Sequence, residues 1–144
     1  VKIEGVGNLS AEENKTLVCR TVEEAWNKGN LSVVDEHLSP DYVHHNLPQG
    51  VPHDREGYKQ TIMMHRQAFP DFHLTIEDAI AEGDKVVLRF KWSGTHKGEY
   101  MGVPPTGRQI TVTAICIHRV EGGKVVEQWA EVNVIGMMKQ LGVV

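Results

Sequence analysis

Two runs of β-branched and polar residues, 110–120 and 124–134, flank the pair Gly122-Gly123, and the side chains best able to do chemistry crowd into them. A Gly-Gly pair between alternating segments signals a two-residue hairpin loop. With those glycines as the loop, counting back pairs His118 with Glu127, Cys116 with Trp129, Ala114 with Glu131 and Val112 with Asn133. Directly paired residues point the same way. One face is therefore expected to hold His118, Trp129, Glu131 and Asn133, and the other Ile115, Ile117, Gln128 and Ala130. A loop of odd length would break this scheme. Burial beside Trp129 would raise the pKa of Glu131 and make it a general base. His118 is a second acid/base candidate, with a cross-strand pair to Glu127 as its structural alternative. The amide of Asn133 can hold a substrate oxygen but cannot take a proton. Small Ala114 opposite Glu131 leaves room for a ligand. The competing reading is a solvated face with both carboxylates in water.

Other histidines are candidates for the same site. In the doublet His44-His45, neighbours on a strand point to opposite faces, so at most one enters a pocket. His96 lies near a strand end, either at a pocket mouth or packed in a turn. His65 shares an apolar helical stripe with Tyr58, Ile62 and Phe69, as a ligand contact or a satisfied buried imidazole. Met64 and Phe90 are read as cavity wall. Of the eight histidines, none shows a helical His-x-x-x-His spacing and none joins a Cys/His cluster, so no metal is expected.

These groups need a scaffold. The segment Ser10-Ala11-Glu12-Glu13 is a capping box, followed by an apolar helical stripe of Val18, Val22, Ala25 and Trp26 that ends at Gly29. A short helix is expected over 31–38, a short strand over 42–46, and a third helix from Asp54 to Phe69. Strands follow, with alternation at Phe72, Leu74 and Ile76 and again at Val86, Leu88, Phe90 and Trp92. A last helical turn covers 135–141, and residues 1–9 read as a loose arm. Helices first and an antiparallel sheet after them predict an α+β fold. A sheet curved against the helices leaves an internal pocket.

The chain has 144 residues, 40% hydrophobic and 24% charged, with a net charge of -4, which suits one soluble domain. The absence of a basic block argues against nucleic acid. No apolar run reaches the ~18 residues of a membrane span, and residues 1–10 lack a leader pattern. Cys19 and Cys116 read as free thiols. A cytoplasmic location is expected.

Several segments now resemble one family. They are Phe69-Pro70-Asp71-Phe72, Gly83-Asp84-Lys85-Val86-Val87, Gly94-Thr95-His96-Lys97-Gly98, Gly102-Val103-Pro104-Pro105-Thr106-Gly107-Arg108, Gly123 through Trp129, and Gln140-Leu141-Gly142. Their order and spacing resemble the SnoaL-like polyketide cyclases, of the nuclear transport factor 2-like superfamily. The resemblance spans roughly residues 12 to 142. It implies a cone-shaped (cystatin-like) curved sheet, mixed or antiparallel, wrapped against three N-terminal helices, with a homodimer and no metal or organic cofactor. It also implies aldol cyclisation, or a related isomerisation, of a small apolar carbonyl compound by an acidic general acid/base. The family's His-Asn pair favours His45 of the doublet for the pocket. The family's usual Asp four positions after the tryptophan is Asn133 here. That departure opens an alternative, a non-catalytic ligand-binding module, and leaves Glu131 or His118 to move the proton.

Overall fold

A computed structural model describes residues 8–144. Most of the arm expected over residues 1–9 lies outside the described residues. Helix α1 (Ala11–Lys28) opens on the expected capping box. The Ser10 hydroxyl accepts from the Glu13 N–H at 3.1 Å, and the Glu13 carboxylate accepts from the Ser10 N–H at 2.9 Å. Gly29, with φ 70°, ends it. Its last carbonyls are not left bare, because the Arg66 guanidinium donates to those of Trp26 and Asn27 at 2.8 and 3.0 Å.

The chain continues through α2 (Ser32–His37), β1 (Leu38–His44), α3 (Arg55–Ala68), β2 (His73–Glu82), β3 (Lys85–Thr95), β4 (Gln109–Glu121), β5 (Lys124–Val132) and α4 (Val134–Leu141). The side chain of Asp54 caps α3 by accepting from the Gly57 N–H at 2.9 Å. The strands form one sheet in the order β1-β5-β4-β3-β2. All pairs are antiparallel except β1 with β5, so the sheet is mixed and the fold α+β. Val18 and Val22 of α1, Ile62 of α3, and Leu74, Leu88 and Val112 of the sheet meet in one core. Among the described residues no helix is long and apolar enough to cross a membrane.

The hairpin loop forms as expected. Gly122 and Gly123 have φ of 58° and 76°, both left-handed, and Glu121 pairs with Lys124. The pairing then departs from the simple count. Val120 stands opposite Val125, but Arg119 stands opposite Glu127, so Val126 is an extra residue in β5. This β-bulge shifts the register by one. His118 now faces Gln128, Cys116 faces Ala130, and Ala114 faces Val132. Trp129 and Glu131 pair with Ile117 and Ile115 on the opposite face. The face predicted from sequence, with His118, Trp129 and Glu131 together, is thus corrected. β5 also stops earlier than expected. Asn133 is not a strand residue but the N-cap of α4, accepting from the Gly136 N–H at 2.9 Å.

Two glycines mark close backbone approaches. A Cβ on Gly94 would lie 2.8 Å from Cβ of Phe69, which packs over β3, and a Cβ on Gly57 would lie 1.6 Å from the carbonyl oxygen of Pro52. The first turn of α3 therefore seats directly on loop backbone that cannot rotate away like a side chain. Gly57→Ala is expected to lower stability by roughly 3 kcal/mol or more, through overpacking against a rigid partner. Urea unfolding checks this, and a loss under about 0.5 kcal/mol would contradict the rigid seating.

Candidate active site

Between the inner face of the sheet, α1 and α3 lies a cavity of about 360 Å³. Its walls are largely apolar and aromatic, from Trp26, Phe72, Leu74, Phe90, Trp92 and Ala114. Phe72 lies between Trp26 and Trp92 in a stacked row, with ring centroids 5.5 and 5.0 Å apart and planes tilted by 28° and 27°. Two hydrogen bonds hold α1 to this wall. The Asn27 side chain donates to the Leu74 carbonyl at 2.9 Å and accepts from the Leu74 N–H at 2.7 Å. Exposed Met101, Glu131, Val132 and Val134 mark the mouth.

The polar lining comes from four elements. β1 brings His44, α3 brings Tyr58, Thr61 and His65 at i, i+3 and i+7, β4 brings Cys116 and His118, and β5 brings Gln128. Three of these are buried imidazoles. Burial pushes His118 down to about 4, and neither ring nitrogen has a well-formed hydrogen bond, although the Val86 backbone approaches the ring and opposes part of the shift. His44 falls to about 3, first by burial and then through its neighbour His118, with His53 and His45 adding smaller effects. Its Nδ1 accepts from the Asn46 backbone N–H at 3.0 Å, which leaves the proton of the neutral ring on Nε2. His65, pushed down to about 4 by burial, is satisfied on both sides, by the Thr61 carbonyl at 2.9 Å and the Tyr100 hydroxyl at 3.0 Å. Tyr58 accepts from the Trp26 indole N–H at 2.8 Å, and Gln128 Oε1 accepts from the Tyr42 hydroxyl at 2.6 Å. Burial lifts the Cys116 thiol to about 12, so it is a protonated wall residue rather than a nucleophile.

Of the residues singled out from sequence, His118, His65 and Phe90 line this cavity. His118 does not pair with Glu127, whose carboxylate instead holds Arg119 at 2.9 Å and His45 at 2.7 Å. Glu131 reaches only the exposed mouth. Trp129 is turned away by the bulge and stacks on His45, with centroids 5.0 Å apart. Of the doublet it is His44, not His45, that enters, because His44 pairs with Gln128 on the inner face. Asn133 caps α4 outside the cavity. His96 is fully buried away from it, stacked on Phe69 and bonded through Nδ1 to Thr106, which settles its two readings in favour of turn packing. Met64 is half-buried on α3 and does not reach the lining. Sequence reasoning missed His44, Tyr58, Tyr100 and Gln128 as lining residues. Only Tyr58 left a usable signal, its helical spacing with His65. Among the described residues no three His, Cys, Asp or Glu side chains gather as a metal site.

Comparison with known proteins agrees with this architecture. The profile of the SnoaL-like polyketide cyclase family matches residues 16–141. The nogalonic acid methyl ester cyclase of Streptomyces nogalater is 28% identical over 120 residues, 82% of this chain and 90% of that one. TsrD from Streptomyces laurentii superposes with a TM-score of 0.86 at 31% identity, covering 95% of this chain and all (100%) of the other. IdmH from Streptomyces antibioticus gives 0.77 at 36% identity, over 90% of this chain and 99% of its own. With a family match across nearly its whole length and solved structures of the same fold, the chain belongs to the SnoaL-like polyketide cyclase family.

Proposed function

We propose that the chain is a cofactor-independent enzyme that forms an enolate from a small apolar carbonyl compound and uses it to close a ring by aldol addition. The observation that carries this reading is His118, a buried imidazole facing an apolar cavity with no well-formed hydrogen bond at either nitrogen and only the Val86 backbone close to the ring. A neutral imidazole always carries one bare nitrogen, so His118 is ready to take a proton. It removes the proton from carbon α to the carbonyl, and the C–H electrons pass to the carbonyl oxygen as an enolate. His44 Nε2–H and the Tyr58 hydroxyl donate to that oxygen, in a setting of low polarity where such donors count most. The enolate carbon then attacks a second carbonyl of the same molecule, and the proton on His118 returns to the new alkoxide. Proton transfers alone balance the sequence, so no electron carrier is needed. The imidazolium formed midway is stabilised by the enolate beside it, a charge absent from the free protein.

The relative from S. nogalater is named for a polyketide methyl ester, which supports a polyketide-derived carbonyl compound as the substrate class. The alternative of a ligand-binding module rested on Asn133, and a residue that caps α4 outside the cavity does not bear on chemistry within it. The homodimer implied by the family fits the outer face of the sheet, where Ile115 is 48% exposed beside half-buried Trp129. Sedimentation at micromolar concentration is expected to give a dimer, and a monomer alone would rule it out.

His118→Gln is expected to slow cyclisation of nogalonic acid methyl ester by about 10²–10⁴-fold while the fold is retained. If instead Glu131→Gln abolishes turnover and His118→Gln leaves it within about fivefold, the proton is moved at the mouth and the assignment to His118 is wrong.

The same imidazoles set the acid stability. An unfolded histidine protonates near 6.5, whereas folded His65 and His118 wait until about 4 and His44 until about 3. Between those values the unfolded chain binds more protons, so stability is full above about 6.5 and is lost as pH falls towards 4. Each group accounts for on the order of 3 kcal/mol over that span. Urea midpoints are expected to drop steeply from pH 7 to pH 4.5, and less steeply in His118→Leu. A midpoint independent of pH over this range would show that the three rings are not held neutral.

A further inference from the structure

The hydrogen bonds around the cavity fix which lining groups can give a proton to a ligand and which can only receive one. On α3, the Thr61 carbonyl can only accept, so the contact at 2.9 Å places the proton of His65 on Nδ1. Nε2 is then bare, and the Tyr100 hydroxyl 3.0 Å away must donate to it. The ring is neutral near pH 7, since burial holds it at about 4. Tyr100 has therefore committed its only phenolic proton to the protein. What remains on its oxygen is lone-pair density, and the residue lines the cavity.

Elsewhere the polarity is the reverse. Tyr58 receives the Trp26 N–H and keeps its own proton free, His44 receives the Asn46 N–H on Nδ1 and keeps a proton on Nε2, and Gln128 receives the Tyr42 hydroxyl on Oε1 and bonds Cys116 through its NH₂, which has a second N–H to give. Tyr58 and His65 are seven residues apart on α3, about 10 Å of helical rise. Apart from the bare nitrogen of His118, assigned above to proton transfer, the cavity thus has a donating region and an accepting oxygen at Tyr100.

We propose that Tyr100 is a specificity-determining residue that accepts a hydrogen bond from a hydroxyl group of the carbonyl compound, while Tyr58, His44 and Gln128 donate to its carbonyl oxygens. The substrate class is narrowed to hydroxylated carbonyl compounds, a phenol or enol O–H at one end and carbonyl oxygens at the other. This rests on reading the cavity as a carbonyl-compound site. An ether or a bare carbon placed against Tyr100 leaves a buried acceptor unpaired, and a second acceptor is repelled.

The test is a binding titration that needs no turnover, with 2-hydroxyanthraquinone and 2-methoxyanthraquinone as size-matched probes, followed by quenching of the cavity tryptophans Trp26 and Trp92 slightly below neutral pH. The wild-type protein is expected to bind the hydroxyl compound about tenfold more tightly. Tyr100→Phe removes the acceptor and should bring the ratio to within about twofold. His65→Leu keeps the phenol but frees its proton to donate to the methoxy oxygen, and the ratio should shrink again. Tyr58→Phe should weaken both probes and leave the ratio intact. Equal binding of the two probes to the wild-type protein overturns the proposal, as does a preference that survives in folded Tyr100→Phe or His65→Leu. Because His118→Gln should slow cyclisation by about 10²–10⁴-fold while the preference still disappears in Tyr100→Phe, failure of the proposed catalysis and failure of this recognition are read separately.

Discussion

Val126 stands unpaired between Val125, which faces Val120, and Glu127, which faces Arg119, and what β5 presents to the cavity follows from that extra residue. Side chains on a strand alternate, so an insertion of one inverts every position beyond it. In β5 it sends Gln128 inward and Trp129 outward; without it the cavity would meet a large indole and a carboxylate where it now has an amide and the small Ala130. The outward set is stabilised in its own way. Trp129 lies on His45, His45 holds Glu127, and Glu127 holds Arg119, a continuous chain from the residue after β1 across β5 to β4. The hydrogen bond from His45, with a second from Arg119, keeps the Glu127 carboxyl below its ordinary range. The bulge is thus supported from outside the sheet as well as from the core.

Inside, the dominant effect is dehydration of imidazole. Three rings of one chemical type are buried around one cavity, and the hydrogen bonds each makes or lacks give it a different character. His65 is closed by a donor and an acceptor, His44 is reduced to a donor, and His118 is left open. None needs a carboxylate partner to be tuned, because removal from water already favours the uncharged form. On the proposed reading, a family member with Asn133 in place of the expected acid still holds imidazoles suited to proton transfer.

How much of this was readable in the amino-acid order differs by element. The capping box at Ser10, the cap at Asp54, the apolar stripes of α1 and α3 and the Gly122-Gly123 loop are local features, and each was legible because a few neighbouring residues decide it. The bulge was not. Val126 is as β-branched as Val125 before it, and the balance that expels it from the ladder depends on pairing with β1 and β4. The choice between His44 and His45 failed for the same reason, since it turns on how a parallel edge strand with its own register shift between Leu38 and Val43 meets β5. Asn133 looked like the end of a strand because Val132 and Val134 flank it, yet its side chain starts a helix. Tyr100 gave no signal at all, being placed by a short turn closed by mutual hydrogen bonds with Val103.

The seat of Gly57 on Pro52 has a bearing on traffic through the entrance. The loop that carries Leu47 and Pro48 past the opening is anchored behind by the His44 N–H bonded to the His53 carbonyl, and below by α3 itself. To lift it would be to lever up the helix end that holds Tyr58. That side of the doorway is a fixed sill, and of the other residues that line the opening, Met101 meets solvent.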